Sequence, residues 1–144
     1  MTIEQAVITR LASLAAVTAL VSTRIYLDRL PKDLDTFPAV RVVLVDEIDQ
    51  PHLRGGGGLR IARVQVDAYA MESSGTDPYT AVAAVADAVH GDDAGSGLSG
   101  WSGEIGSPAL QVRACFRVDR RRAYDPDELQ VCTMSQDYRV SYTP

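Results

Sequence analysis

The chain has 144 residues, 46% hydrophobic and 23% charged, which is enough for one domain (1–144) with a single core and too apolar for intrinsic disorder. Its 14 basic and 19 acidic residues leave a net charge of −5, which excludes a protein that wraps nucleic acid with its whole surface, because phosphate binding needs a basic face. Two cysteines, Cys115 and Cys132, are too few for a disulfide scaffold, and no basic-then-apolar leader opens the chain, so the cytoplasm is expected and a membrane is not.

Thr2 followed by Gln5 has the spacing of a capping box, so a helix is predicted at once. Ile3, Val7, Leu11, Leu14 and Val21 fall on one helical stripe, with Gln5, Thr9 and Ser13 opposite, as in a helix that covers a sheet. A short strand near Arg24–Leu27 comes next, then a turn-rich link through Pro31 and Pro38. Ala39–Ile48 is β-branched and apolar, a buried strand. Its partner alternates strictly: Ala62, Val64, Val66, Ala68 and Ala70 on one face, Arg63, Gln65 and Asp67 on the other. Between them DQPHLRGGGG, residues 49–58, is longer than a tight hairpin needs and reads as a long loop.

Asp77-Pro78 opens a second helix as cap and first helical residue, with Gly91 past its end. Val82, Val85, Ala86 and Val89 line one side. Ala81, Ala84 and Ala88 line the reverse, so cover on more than one side is expected, with a neighbouring subunit as a source of the second layer. Residues 91–108 hold six glycines and four serines and read as a second long loop. Two strands, Leu110–Arg121 and Leu129–Tyr142, close the chain around the turn residues Asp125-Pro126-Asp127. Strict alternation puts Leu110, Val112, Ala114, Phe116 and Val118 on one face. In the second strand Cys132, Met134, Tyr138, Val140 and Tyr142 share a face; if the two faces coincide, Cys115 and Cys132 point to opposite sides of the sheet, where no disulfide can join them. The expected fold is α+β in the order α-β-β-β-α-β-β, an antiparallel sheet with two helices packed on one face.

The chemistry expected of enzymes is missing from the motifs. Gly55–Gly58 lack the Lys-Ser/Thr and succeeding helix of a phosphate-binding loop, and lead into a strand instead. Gly95-Ser-Gly-Leu-Ser-Gly100 spells GxGxxG but no helix opens after it. Gly100-Trp-Ser-Gly-Glu lacks the closing glycine of a nucleophile elbow. His52 and His90, the two histidines, stand at no metal-ligand spacing from either cysteine. Asp46, Glu47 and Asp49 read as a solvated strand end. No catalytic, cofactor-binding or metal-binding set emerges. Arg120, Arg121 and Arg122 form one basic run among Asp119, Asp125, Asp127 and Glu128, either a hairpin end with local ion pairs or a patch for an acidic partner. Trp101 is either a loop anchor or an interface anchor.

Arg24-Ile25-Tyr26, then Pro38-Ala39-Val40-Arg41-Val42-Val43, then Arg63-Val64-Gln65-Val66-Asp67-Ala68-Tyr69-Ala70, in this order between an N-terminal helix and two closing strands, resemble a known family. It is that of the tail completion, or tail-to-head joining (tail terminator), proteins of long-tailed double-stranded DNA bacteriophages. The likeness spans nearly the whole chain; the four-glycine run and the glycine-rich stretch before Leu110 depart from it. It implies a non-enzymatic virion protein of the tail or neck, without cofactor. A homo-hexameric ring would cap the tail tube and dock it to the head connector, so the implied partners are further copies of itself, the tail tube protein and a head-completion or connector protein. DNA would pass through without sequence-specific binding. The expected contact residues are His52, Leu53, Arg54, Gly55, Gly56, Gly57 and Gly58, with Trp101 and Arg120–Arg122. Residues 49–58 would be mobile in the free subunit and ordered on contact, fixing the four glycines costing about 4–8 kcal/mol. Alternatives are another neck component, or a small-ligand-binding α+β domain that uses Gly55–Gly58.

Overall fold

The structure, a computed structural model, describes residues 1–52, 55–72, 77–124 and 131–144. Helix α1 (Ile3–Ser13) begins at the predicted capping box: Thr2 Oγ1 accepts from the Gln5 amide, and Gln5 Oε1 accepts from the Thr2 amide. The single N-terminal helix expected from the stripe is in fact two. Leu14 takes an extended conformation, and α2 (Ala15–Val21) leaves at 88° to α1. The break lets both halves reach the core: Ile3, Ala6, Val7 and Leu11 are buried from α1, Val17 and Val21 from α2. No single described helix is long and apolar enough to cross a membrane.

Strand β1 (Ile25–Leu27) pairs in parallel with the start of β2 (Ala39–His52), so the sheet is mixed rather than wholly antiparallel. Strand β2 pairs antiparallel with β3 (Gly55–Met71). Helix α3 (Pro78–His90) has the predicted Asp77 cap, Pro78 at its first turn and Gly91 after its last. A short strand unseen in the sequence, β4 (Gly103–Ile105), lies inside the expected 91–108 loop and pairs with β5 (Leu110–Tyr124). Strand β6 (Val131–Thr143) inserts between β3 and β5, completing the order β1-β2-β3-β6-β5-β4.

The loop predicted at 49–58 is mostly a strand pair. Asp49 lies opposite Arg60, Gln50 opposite Leu59, and His52 opposite Gly55, with a register shift at Pro51. Glycine keeps a backbone donor and acceptor, so a glycine run can continue a ladder despite having no side chain to pack. Leu53 and Arg54 lie outside the described residues, as do Asp125–Glu128 of the final turn.

The phase of β5 also differs from strict alternation, because two register shifts interrupt it, at Val112/Ala114 and Arg117/Asp119. Each extra residue flips the faces of the strand beyond it. Cys115 therefore points inward and is fully buried, whereas Phe116 and Val118 are 57% and 48% exposed. Cys132 is buried as well, so the cysteines are not separated by the sheet. They are separated along it: Cys115 pairs with Val140 and Cys132 with Ala70, and 132 to 140 is eight residues of β6, about 26 Å.

The core joins one pleat face of the sheet (Val40, Val42, Ala62, Val64, Val66, Ala68, Val112, Cys115, Met134, Tyr138, Val140) to the buried stripes of all three helices. Burying each such Val or Leu contributes about 1.5–3 kcal/mol. Helix α3 packs on β3 and β6, and α2 packs against α3, so part of the second layer expected from a neighbour comes from the same chain; Ala84 stays exposed.

Candidate assembly surface

The pleat face turned away from the core carries the site. Alternation along β2, β3, β6 and β5 puts Arg41, Arg63, Gln65, Asp67, Asp137 and Arg121 on that one face. Two of the carboxylates are buried there, Asp67 at 0% and Asp137 at 2% exposure. Buried charge persists only when paired and hydrogen-bonded, and both are. Arg41 Nε donates to Asp67 Oδ2 at 3.0 Å, and Gln65 Nε2 donates to Asp67 Oδ1 at 2.8 Å. Arg63 reaches Asp137 Oδ2 through Nε at 2.8 Å and Nη2 at 2.6 Å, a fork that matches the carboxylate plane. Arg121 donates to the other oxygen of Asp137 at 3.1 Å, to Gln65 Oε1 at 3.0 Å, and to Asp119.

The network tunes its own members. Burial works to lower the Arg41 pKa, but the Asp67 hydrogen bond and the nearby negative charge outweigh it and raise the value. Hydrogen bonds from Asp137 and then Asp119 raise Arg121. In return, the Arg121 hydrogen bond lowers Asp119. The face is thus a lattice of arginines and carboxylates paired with one another.

Beside this lattice lies exposed apolar surface. Val45 and Ile48 on β2 are 48% and 61% exposed. Val45 and Val118 are the extra residues of their register shifts, which removes them from regular pleating. The sheet curls enough that Ile48 of β2 and Val118 of β5 line one groove with Ile61, Asp46, Arg63 and Arg139, about 220 Å³ in volume. Exposed apolar side chains flanked by charged ones are a composition found at interaction surfaces.

The residues singled out from sequence are scattered. His52 and Gly55 end the β2–β3 hairpin, and Gly58 comes after them with φ +68°. Trp101 is buried inside the subunit, with the Arg10 guanidinium 5.7 Å from its ring centroid. Arg10 Nη2 also donates to the Gly95 carbonyl, so α1 and Trp101 together fasten the 91–102 segment. The arginine run divides between faces. Arg120 meets Asp87 of α3 at 3.2 Å, Arg122 stacks on Tyr79 of α3 at 4.5 Å, and Arg121 alone joins the open face. Sequence reasoning missed Asp67, Asp137, Arg63 and Arg41 as one constellation. The available signal was charged residues at alternate positions of strands otherwise too apolar to be surface.

Among the described residues no group of three or more His, Cys, Asp or Glu side chains could hold a metal ion. Cys115 is fully buried, and that burial pushes its thiol up to about 12. What the site defines is a curled mixed sheet with helices against one face and a surface of paired charges on the other. The chain belongs to the family described as "Tail completion protein gp17", which matches residues 5–143. It is thus a structural protein of the phage virion, located in the tail or neck. A solved structure titled "Virion of native gene transfer agent (GTA) particle" contains a similarly folded chain, with a TM-score of 0.66 at 16% identity, covering 98% of this chain and 94% of that one. No curated protein sequence matches.

Proposed function

We propose that the chain caps the tail tube as a homo-oligomeric ring, of six copies by family likeness, and presents the face that docks to the head connector. The observation that carries this reading is membership of the tail completion family over nearly the whole chain. The exposed apolar side chains beside the open face, Val45, Ile48 and Val118, also support an assembly role. The partners are then further copies, the tail tube protein and a head-completion or connector protein, with DNA passing through the ring. Net charge of −5 suits that passage, since a basic lining would hold the duplex. His52–Gly58 and Arg120–Arg122 are the proposed contact residues toward tube or connector, with Trp101 acting through the loop it fastens.

Electron microscopy of particles carrying a labelled copy tests this. The label should remain with isolated tails at one end. Label that stays with filled heads instead would assign the chain to the head-completion side of the neck.

A further inference from the structure

The two long edges of the sheet are each half covered, and the uncovered halves differ in charge. Strand β1 pairs with β2 only at Val40–Val42, so β2 continues to His52 with no strand beyond it among the described residues. Val45 to Pro51 are all exposed, and that stretch carries Asp46, Glu47 and Asp49; Arg60 of β3 pairs with Asp49 at 3.0 Å and with Glu47 at 3.8 Å, which leaves this edge net acidic. On the far side, β4 pairs with β5 only at Leu110–Val112, and the Gly100 amide donates to the Cys115 carbonyl. From Phe116 onward β5 has no strand outside it among the described residues, and that stretch carries Arg117, Arg120, Arg121 and Arg122 against Asp119, with Arg120 also held by Asp87 and Arg121 by Asp137, which leaves this edge net basic. Each free edge also shows apolar side chains, Val45 and Ile48 on one, Phe116 and Val118 on the other.

We infer that a second copy of this chain adds to the sheet head to tail, the acidic free edge of β2 (45–52) pairing with the basic free edge of β5 (116–124) of its neighbour. This rests on the ring reading above and supplies its joint. An unpaired edge is a template for another strand, and a charged edge is usually a guard against that. Guarding alone would be served by one sign on both edges. Opposite signs repel like edges and attract unlike ones, which selects a heterologous contact, the kind that closes rings.

Geometry agrees. Strands β2 and β5 run in opposite directions within the sheet, since β2–β3, β3–β6 and β6–β5 are all antiparallel, so a neighbour in the same orientation pairs antiparallel. The covering strands β1 and β4 sit at opposite corners. In register, Leu44 lies level with Arg117 through Val64 and Tyr138. Matching the two free lengths needs a stagger of about six residues, roughly 20 Å, against about 19 Å for the four strand spacings of one repeat. Strands would then tilt by about 45° to the ring axis, at the steep end of the ~35–45° range of closed sheets.

Site-directed cross-linking on tails and on purified protein tests the joint. Within one copy Asp46 and Arg122 are far apart, six β5 residues beyond Phe116 and three strands away. Copies carrying Asp46→Cys are mixed with copies carrying Arg122→Cys and oxidised; Gln50→Cys with Val118→Cys and a short bismaleimide covers neighbouring registers. Both native cysteines are buried and give little background. The expected result is covalent dimers in each mixture, absent from either variant alone and weakened by salt. Multimers on tails that fail to cross-link in any mixture, or Asp46→Cys copies that link to one another, overturn the edge joint while leaving a ring intact. Single copies on tails, measured by mass, overturn both.

Discussion

Removing Arg63 should destabilise the subunit more than removing the carboxylate it holds. The Asp137 side chain is 3% exposed, while those of Arg63 and Arg121 are each 44% exposed. Arg63→Ala strips both bonds from Oδ2 and leaves a buried carboxylate on Arg121 alone. An uncompensated buried charge costs about 3–5 kcal/mol, and the surviving Arg121 bond reduces this to about 2–3 kcal/mol. Asp137→Ala frees two arginines that reach water, so its cost is only the lost bonds, about 1–2 kcal/mol. The double variant has no orphaned carboxylate and should cost about 1–2 kcal/mol, less than the sum of the singles, for a coupling of about 2 kcal/mol. Urea unfolding of the four proteins measures it, at low and high salt, since a buried pair is screened little. A coupling below about 0.5 kcal/mol would mean that solvent screens the pair and that the open face is no fixed lattice.

Gly97→Ala should be costly, because a Cβ there would lie 2.6 Å from the Gly91 nitrogen and the His90 carbonyl; a thermal midpoint within error of wild type would show that the segment gives way. Trp101→Ala should lose about 3–5 kcal/mol as a core truncation, read by the same unfolding curves, and a loss under about 1 kcal/mol would make the indole a surface group. Alkali should unfold the protein early. Burial holds the Cys115 thiol at about 12 against an ordinary 9.0, so its contribution is complete below pH 9 and declines as pH rises toward 12. Near pH 10.5 that decline is about 2 kcal/mol, and Cys115→Ala should flatten the pH profile; an unchanged profile would refute the assignment. Arg120→Ser and Arg122→Ser should each move stability by less than about 1 kcal/mol while weakening attachment to tails, and a large fall in melting temperature would make them structural instead.

The helical parts of the fold were legible because capping chemistry is local. Thr2 with Gln5, and Asp77-Pro78 with Gly91, name their own helix ends. The strands were legible in existence and less so in phase. Each register shift adds one residue that no composition rule announces, and it inverts the faces downstream, which is how Cys115 and Phe116 exchanged places. The break at Leu14 has no proline or glycine to mark it; the core set it by drawing in Val17 and Val21. The four glycines misled for a related reason. Flexibility suggested a loop, whereas Gly55 and Gly56 pair with His52 and Pro51 and the run continues strand β3. The ion lattice was hidden because its members are 74 residues apart in the Arg63–Asp137 pair and meet only through the order of strands. The two-sided charge of the free edges likewise exists only once β2 and β5 are known to be opposite margins.

Everything proposed turns on a polypeptide that works by fitting against its own copies and a tube, without transforming a substrate. Electron microscopy of tails assembled in a host expressing every other particle protein, with this chain withheld and then restored, addresses that directly. Tails of irregular length that do not join heads, corrected on restoration, are the predicted outcome. Tails of uniform length already joined to heads in its absence would contradict it.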